Sequence, residues 1–292
     1  MVKQGMSMIF NLGSINSDHI YGLPHLPGAG ETLAADSYYR TLGGKGANQS
    51  VAAARAGARV CHIGAVGSDG GWMVDLLGEY GVEVSNIVRH EGPSGHAVVY
   101  VDAAGENSIV IYPGANRGLG LADVTTALSA ASPGDWLMMQ NETNLQVETA
   151  RLAQGAGMHL AYSAAPFDAD AVEAILPFVR LLILNDVEAR QLERAIGAIA
   201  VPQLLITRGA EGADWHDNIS GEVISVPAFD VTPVDTTGAG DTFVGYLIAS
   251  IAQGLAPGPA LKRASAAAAL QVQRPGTAEA IPTAEETAAF LA

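Results

Sequence analysis

The residues best suited to chemistry are an acid and two glycines in Val234-Asp235-Thr236-Thr237-Gly238-Ala239-Gly240-Asp241-Thr242-Phe243. An apolar, helix-forming run follows: Phe243, Val244, Tyr246, Leu247, Ile248 and Ile251. A glycine-rich turn feeding a helix leaves the first backbone N–H groups unpaired and converging on one spot. The helix dipole adds partial positive charge there, so an anion is stabilised. Asp241 stands at that spot. It reads as a helix N-terminal acid that complements the dipole, or as a general base beside an anion hole for phosphoryl transfer. Gly-Ala-Gly-Asp by itself favours the first reading; the second needs partners elsewhere in the chain.

Candidate partners occur early. Asn16 and Asp18 follow a short apolar run over residues 6–12. At period two they point to one side if the chain stays extended; the alternative is a turn in which both bond their own backbone. Leu42-Gly43-Gly44-Lys45-Gly46-Ala47-Asn48-Gln49 then opens an alanine-rich helix that Gly57 stops. Adjacent glycines let a ligand approach the backbone closely. This is not a Walker P-loop, because Lys45 is followed by Gly46 and no glycine stands five residues before Gly44. No Gly-x-Gly-x-x-Gly occurs either, which argues against a dinucleotide-binding dehydrogenase.

The elements that must position these groups follow a regular pattern. From residue 121 onward, amphipathic helical stretches alternate with apolar strands over 136–140, 159–163, 181–184 and 204–207. That pattern predicts an α/β fold with a parallel sheet covered on both faces. Polar groups recur just past the strands, at Asn16, Glu142, Asn185 and Arg208. Ligands of such sheets bind beyond the carboxyl ends of the strands, so the recurrence predicts a site along that edge. Residues 95–101 and 108–112 alternate around Ala103-Ala104-Gly105 and read as a hairpin, which with 32–41 makes a small separate sheet. His96 in that hairpin has no second ligand at metal spacing and reads as structural.

Composition bounds the rest. The chain has 292 residues, 49% hydrophobic and 15% charged, enough for one large core and a single domain over 1–292. A net charge of -15 argues against nucleic acid and anionic membrane as partners. It leaves room for an anionic substrate where a few donors converge. The lone Cys61 excludes an internal disulfide and a Cys-rich zinc site, and its apolar neighbours make it a core thiol. No signal-peptide pattern and no apolar run of membrane-spanning length occur, so a cytoplasmic protein is expected.

Two stretches, 43–49 and 235–243, with Asn185-x-x-Glu188 between them, resemble the signatures of the ribokinase (PfkB) family of carbohydrate kinases, and the resemblance spans nearly the whole chain. It implies a Rossmann-like three-layer αβα fold with a mostly parallel central sheet. It also implies a small β-sheet lid, from about 17–41 and 94–113, that closes over a sugar and forms a homodimer contact. The implied activity is ATP-dependent phosphorylation of a sugar, with the primary 5-hydroxyl of D-ribose as the preferred acceptor. Fructose, a keto-deoxy sugar acid or a nucleoside are alternatives within the family; a non-catalytic sugar-binding regulator is a further one.

Carried over residue by residue, the resemblance makes Asp241 the general base and the backbone of Gly238, Ala239, Gly240 and Asp241 the anion hole. Sugar contacts fall on Asn16, Asp18, Gly44, Lys45, Asn48, Glu142 and Asp241, with Ala97 and Val99 as small apolar lid residues. Lys45 is expected to pair with Glu142 or Asp18. Nucleotide contacts fall on Asn185, Thr207, Gly209, Gly212, Gly240 and Ser265. Glu188 would organise Mg²⁺ through water. A monovalent cation, potassium, would sit among Asp235, Thr237, Gln271, Arg274 and Gly276, held mostly by backbone carbonyls. The chain departs from the family at Ser163-Ala164-Ala165-Pro166, where Asn-Pro-Ala-Pro is usual. It also departs at Ala280, where a serine often completes the potassium loop, at Ser265 beside the adenine, and in a shortened 188–207 segment.

Overall fold

The computed structural model of the protein describes residues 7–292, so the start of the first predicted strand, at Met6, lies outside the described residues. The chain opens with β1 (Ile9–Leu12), β2 (Asn16–Leu23), β3 (Ser37–Gly43) and α1 (Lys45–Arg55). It continues through β4 (Val60–Val66), α2 (Gly71–Glu79), β5 (Ile87–Arg89), β6 (Gly95–Asp102) and β7 (Asn107–Tyr112). Strict alternation follows: α3 (Leu121–Leu128), β8 (Trp136–Gln140), α4 (Gln146–Gly155), β9 (His159–Ser163), α5 (Ala169–Ile175), β10 (Val179–Asn185), α6 (Asp186–Ile196) and β11 (Gln203–Thr207). A hairpin of β12 (Ala213–Asp217) and β13 (Glu222–Val226) leads to α7 (Ala239–Ala252), α8 (Pro257–Gln271) and α9 (Ala284–Leu291).

Among the described residues the main sheet has nine strands, in the order β13-β12-β11-β10-β9-β8-β1-β4-β5. Pairing is parallel from β11 to β5 and antiparallel at the β12–β13 edge. Successive residues of a strand face opposite sides, and the core divides accordingly. Trp136 and Met138 of β8, with Leu181 and Ile183 of β10, pack on one side with buried residues of α1, α2, α7 and α8. Leu137 and Met139, with Leu182 and Leu184, pack on the other with α3, α4, α5 and α6. Three layers result because the strands are apolar on both faces. Among the described residues no helix is long and apolar enough to cross a membrane.

A second sheet of four strands, β3-β2-β6-β7, stands apart. The sequence reading treats Gly13–Asp18 as polar groups past a strand end; the chain instead runs directly from β1 into β2. There Asn16 pairs with Gly43 on one side and Gly95 on the other, so two ladders hold a polar segment extended. The lid strand predicted from residue 32 starts at Ser37, because β2 ends at Leu23 and offers no partner further on. Residues 24–36 are therefore not strand.

Helices α1 and α7 approach closely along a seam of small side chains. A Cβ on Gly245 would lie 2.5 Å from Ala52 Cβ and 2.6 Å from the Gln49 carbonyl oxygen. Only a hydrogen at that position lets the two helix N-termini sit side by side at the strand ends.

Candidate active site

Those N-termini bring the two sequence motifs together. Gly238 caps α7 with φ of 77°, a left-handed conformation that glycine adopts without strain. The Ala239 N–H reaches the Thr236 carbonyl at 3.3 Å, and that of Thr242 reaches Gly238 at 2.9 Å. The N–H groups of Gly238, Gly240 and Asp241 have no acceptor among the described residues, so they are the turn's free donors. Of the four groups expected to form an anion hole, Ala239 is already engaged and three remain free.

Asp241 is held from α1. Asn48 Nδ2 donates to its Oδ2 at 3.1 Å, and Gln49 Nε2 donates to its Oδ1 at 3.0 Å. The carboxylate is thus fixed in place by one amide per oxygen. Gln49 lies inside the predicted motif, yet sequence reasoning assigned it no role; its position next to Asn48 on the first helical turn was the available signal.

Asp18, Glu142 and Lys45 gather beside it. The Ser14 hydroxyl and the Lys45 backbone N–H (3.2 Å) both donate to Glu142 Oε2. Asp18 Oδ1 and Asn48 Oδ1 are buried without a partner. Burial, then the charges of Glu142, Glu279 and Asp241, push the Asp18 carboxyl up to about 7. Burial also raises Glu142, opposed by the Ser14 hydrogen bond and by Lys45. Asp241 is the largest influence on Lys45 and holds its ammonium above the usual lysine range. The expected Lys45 ion pair is absent: no carboxylate lies within 4.0 Å of its ammonium among the described residues. Glu142 meets the Lys45 backbone instead, and the side chain turns into a cavity.

That cavity, about 240 Å³, is lined by Lys45, Asn185, Glu188, Thr207, Gly238, Gly240 and Asp241. A larger one, about 440 Å³, shares Thr207 and Gly240 with it. Its lining is mostly apolar and includes Gly209, Gly212, Ala228, Phe229, Val231, Phe243, Ser265 and Ala268. A polar cleft at a helix N-terminus that opens into an apolar slot has the form a nucleotide needs: phosphates in the first, base in the second. All the residues expected at the nucleotide line one or both.

On the side of the small sheet, Gly44 has φ of 93° at the start of α1. The Asn16 side chain accepts from Asn116 Nδ2 at 2.7 Å. Ala97 is buried and pairs with Asp18 across β2–β6, while Val99 pairs with Ile20. A Cβ on Gly43 would overlap the Asp18 carboxylate, so this glycine makes room for the acid. Ser14, Gly43, Asn116 and Glu279 were missed by sequence reasoning, since each acts through a residue distant in the chain.

Five of the expected site residues have local partners. Asn185 and Glu188 cap α6 reciprocally, each side chain accepting from the other's backbone N–H at 2.8 Å, which leaves Glu188 Oε1 available. Asp235 accepts from Thr237 N at 2.9 Å and from Gly276 N at 3.1 Å. Gln271 Nε2 donates to the Thr237 carbonyl at 2.8 Å, while its own Oε1 is buried without a partner. The Arg274 guanidinium pairs with Glu286 at 2.6 Å. Arg208, at the edge past β11, pairs with Asp214 and lies 3.9 Å from Asp186.

Residues 6–284 match the model of the pfkB family of carbohydrate kinases. The chain belongs to this family. It is 34% identical over 299 residues to a ribokinase of Haemophilus influenzae, covering 96% of this chain and 97% of that one. Its fold matches the ribokinase of Cryptococcus neoformans var. grubii in complex with ADP, with TM-score 0.86, 30% identity, and coverage of 97% and 99%. It also matches the Arabidopsis thaliana ribokinase complexed with ribose and ATP, with TM-score 0.85, 25% identity and 99% coverage of both chains. This carbohydrate kinase has the ribokinase-like architecture that the motifs imply, large sheet and small sheet alike.

Proposed function

We propose that this kinase transfers the γ-phosphoryl group of ATP to the primary 5-hydroxyl of D-ribose, with Asp241 as general base. The observation that carries the proposal is the position of Asp241. It is clamped by Asn48 and Gln49 at the edge of the polar cleft, beside two buried acceptors without partners, Asp18 Oδ1 and Asn48 Oδ1. Asp18 Oδ1 and Asn48 Oδ1 are left for hydroxyl donors, and a buried acceptor without a donor costs about 1–3 kcal/mol until a ligand supplies one. Two carboxylates in that pocket repel an acid sugar and suit a neutral polyol.

In the reaction, Asp241 takes the proton of the attacking hydroxyl, and the Gly240 and Asp241 N–H groups meet negative charge on the transferred group. Lys45, extended into the phosphate cleft, adds a fixed positive charge. A divalent cation accompanies the nucleotide; we assign Mg²⁺, with Glu188 Oε1 as the group able to hold one of its waters. Bound there, it supplies charge neutralisation across the phosphates. For a monovalent cation, potassium, the fitting groups are the Asp235, Arg274 and Gly276 carbonyls with the orphaned Gln271 Oε1; the Thr237 carbonyl is already engaged by Gln271. The four-stranded sheet is proposed as the lid. Its face with Asp18, Ala97 and Val99 also carries exposed Tyr39, Ile109 and Ile111, a surface for the same face of a second copy.

The test is ADP release from Mg-ATP with a sugar panel led by D-ribose, on the unmodified chain and on Asp241→Asn. Ribose-dependent release that falls by about 10²–10⁴ in the variant is expected. A loss under tenfold removes Asp241 as the base, and no turnover on any sugar overturns the activity.

A further inference from the structure

Beneath Asp241 the protein buries a run of polar side chains that touch neither cavity. Asn11 on β1, Gln49 and Ser50 on α1, His62 on β4 and Gln140 on β8 are each fully buried. Burying polar groups brings little net stability even when they are paired. Apolar side chains would fill this space at lower cost, so stability alone does not account for the run.

The bonds form one chain whose direction is forced at every step. It ends on two backbone carbonyls, which only accept. His62 Nε2 lies 3.1 Å from the Gly13 carbonyl oxygen and must donate to it. Burial drives the His62 pKa down to about 4, so the ring is neutral and Nδ1 carries a lone pair. The Ser50 hydroxyl therefore donates to Nδ1, at 2.8 Å. Asn11 Nδ2 donates one hydrogen to Ser50 Oγ and the other to the Gly46 carbonyl, both at 2.8 Å. Asn11 Oδ1 then faces Gln140 Nε2 at 2.9 Å. The second hydrogen of that amide goes to Gln49 Oε1 at 2.7 Å. Gln49 is left with only its Nε2 toward Asp241, at 3.0 Å. Reversing the Gln49 carboxamide would set its oxygen against the carboxylate and its NH₂ against another NH₂.

We infer that Gln49 is a positioning residue for the reaction, and that Gln140 and Asn11 act through it by locking its carboxamide with the N–H toward Asp241. The inference rests on the reading of Asp241 as the base. Gln49 holds Oδ1 and Asn48 holds Oδ2, so the carboxylate keeps one rotamer, with its remaining lone pairs free for the acceptor hydroxyl. A misplacement of about 1 Å at such a group is enough to cost around 10²-fold in rate.

The test compares Gln140→Met and Gln49→Met with the unmodified chain and with Asp241→Asn. Gln140→Met leaves Gln49 in place but unpinned, and is expected to lower kcat about tenfold; Gln49→Met is expected to lower it about 10–100-fold. KM for ribose stays within about threefold in both, because neither side chain belongs to the sugar pocket. A purely structural role would lower the melting temperature and leave kcat per folded molecule unmoved. That result overturns the inference, as does a kcat within twofold of the parent in either variant. In the unmodified protein the carboxamide protons of Gln49 and Gln140 exchange slowly with solvent by NMR, and fast exchange overturns the locked chain without any substitution. If Asp241→Asn itself stays active, the base reading has failed; if it collapses while both Met variants remain active, this inference alone has failed.

Discussion

Sugar binding should be coupled to proton release at Asp18. Its carboxyl is pushed up to about 7 by burial and by Glu142, Glu279 and Asp241. A sugar hydroxyl is a donor, and the carboxylate accepts better than the neutral acid, so binding favours the ionised form. Only about one molecule in ten carries that form one pH unit below the midpoint, and about nine in ten one unit above. Ribose affinity should therefore rise about tenfold from about pH 6 to about pH 8, with nearly one proton released per sugar at the lower end. Calorimetry in two buffers of different ionisation enthalpy reads both quantities. Glu279 is exposed and lies outside the pocket, so Glu279→Gln removes one repelling charge and moves the midpoint to lower pH. Asp18→Asn abolishes the slope. Affinity that is flat across this range, or a slope that survives in Asp18→Asn, refutes the assignment. The sign for folding is opposite. The unfolded chain loses this proton near its ordinary value while the folded empty enzyme keeps it until about 7, so the stability of the sugar-free enzyme falls as pH rises through that window.

Glu188→Gln keeps the reciprocal cap, since glutamine accepts the same N–H, and should leave the melting temperature unchanged while raising the Mg²⁺ concentration needed for half-maximal rate. Gly245→Ala forces a methyl against Ala52 and the Gln49 carbonyl, and should cost about 1–3 kcal/mol in denaturant unfolding, with kcat falling as well because Gln49 moves. Ile109→Asp places a charge on the exposed face of the small sheet, and sedimentation should show the proposed dimer dissociating to monomer.

Most of the fold was legible because strands apolar on both faces and helices apolar on one leave little choice of architecture. β2 was only half legible, because Asn16 and Asp18 fit an extended run and a turn equally well and pairing with both β3 and β6 decides for the extended one. β5 is three residues long and carries too little pattern to detect. In the site, Asp241, Asn48 and Asp18 announce themselves by type and spacing. Lys45 was given the wrong partner, because its own backbone N–H takes the Glu142 oxygen the side chain was expected to meet. Gln49 and Gln140 were invisible as a pair: each looks like a polar residue in an apolar run, and 91 residues separate them.

The seam between α1 and α7 also bears on inheritance. Asn48 and Asp241 are 193 residues apart in the chain, yet the width of a glycine fixes the distance between them. A methyl added at Gly245 changes the geometry around Asp241 from a distance, by pushing on Ala52 and the Gln49 carbonyl. Segments 45–55 and 239–252 should therefore drift together through descent. A chimera that takes one of them from a relative and the other from this chain would displace Asp241 from Asn48 and Gln49, even with every one of those residues retained.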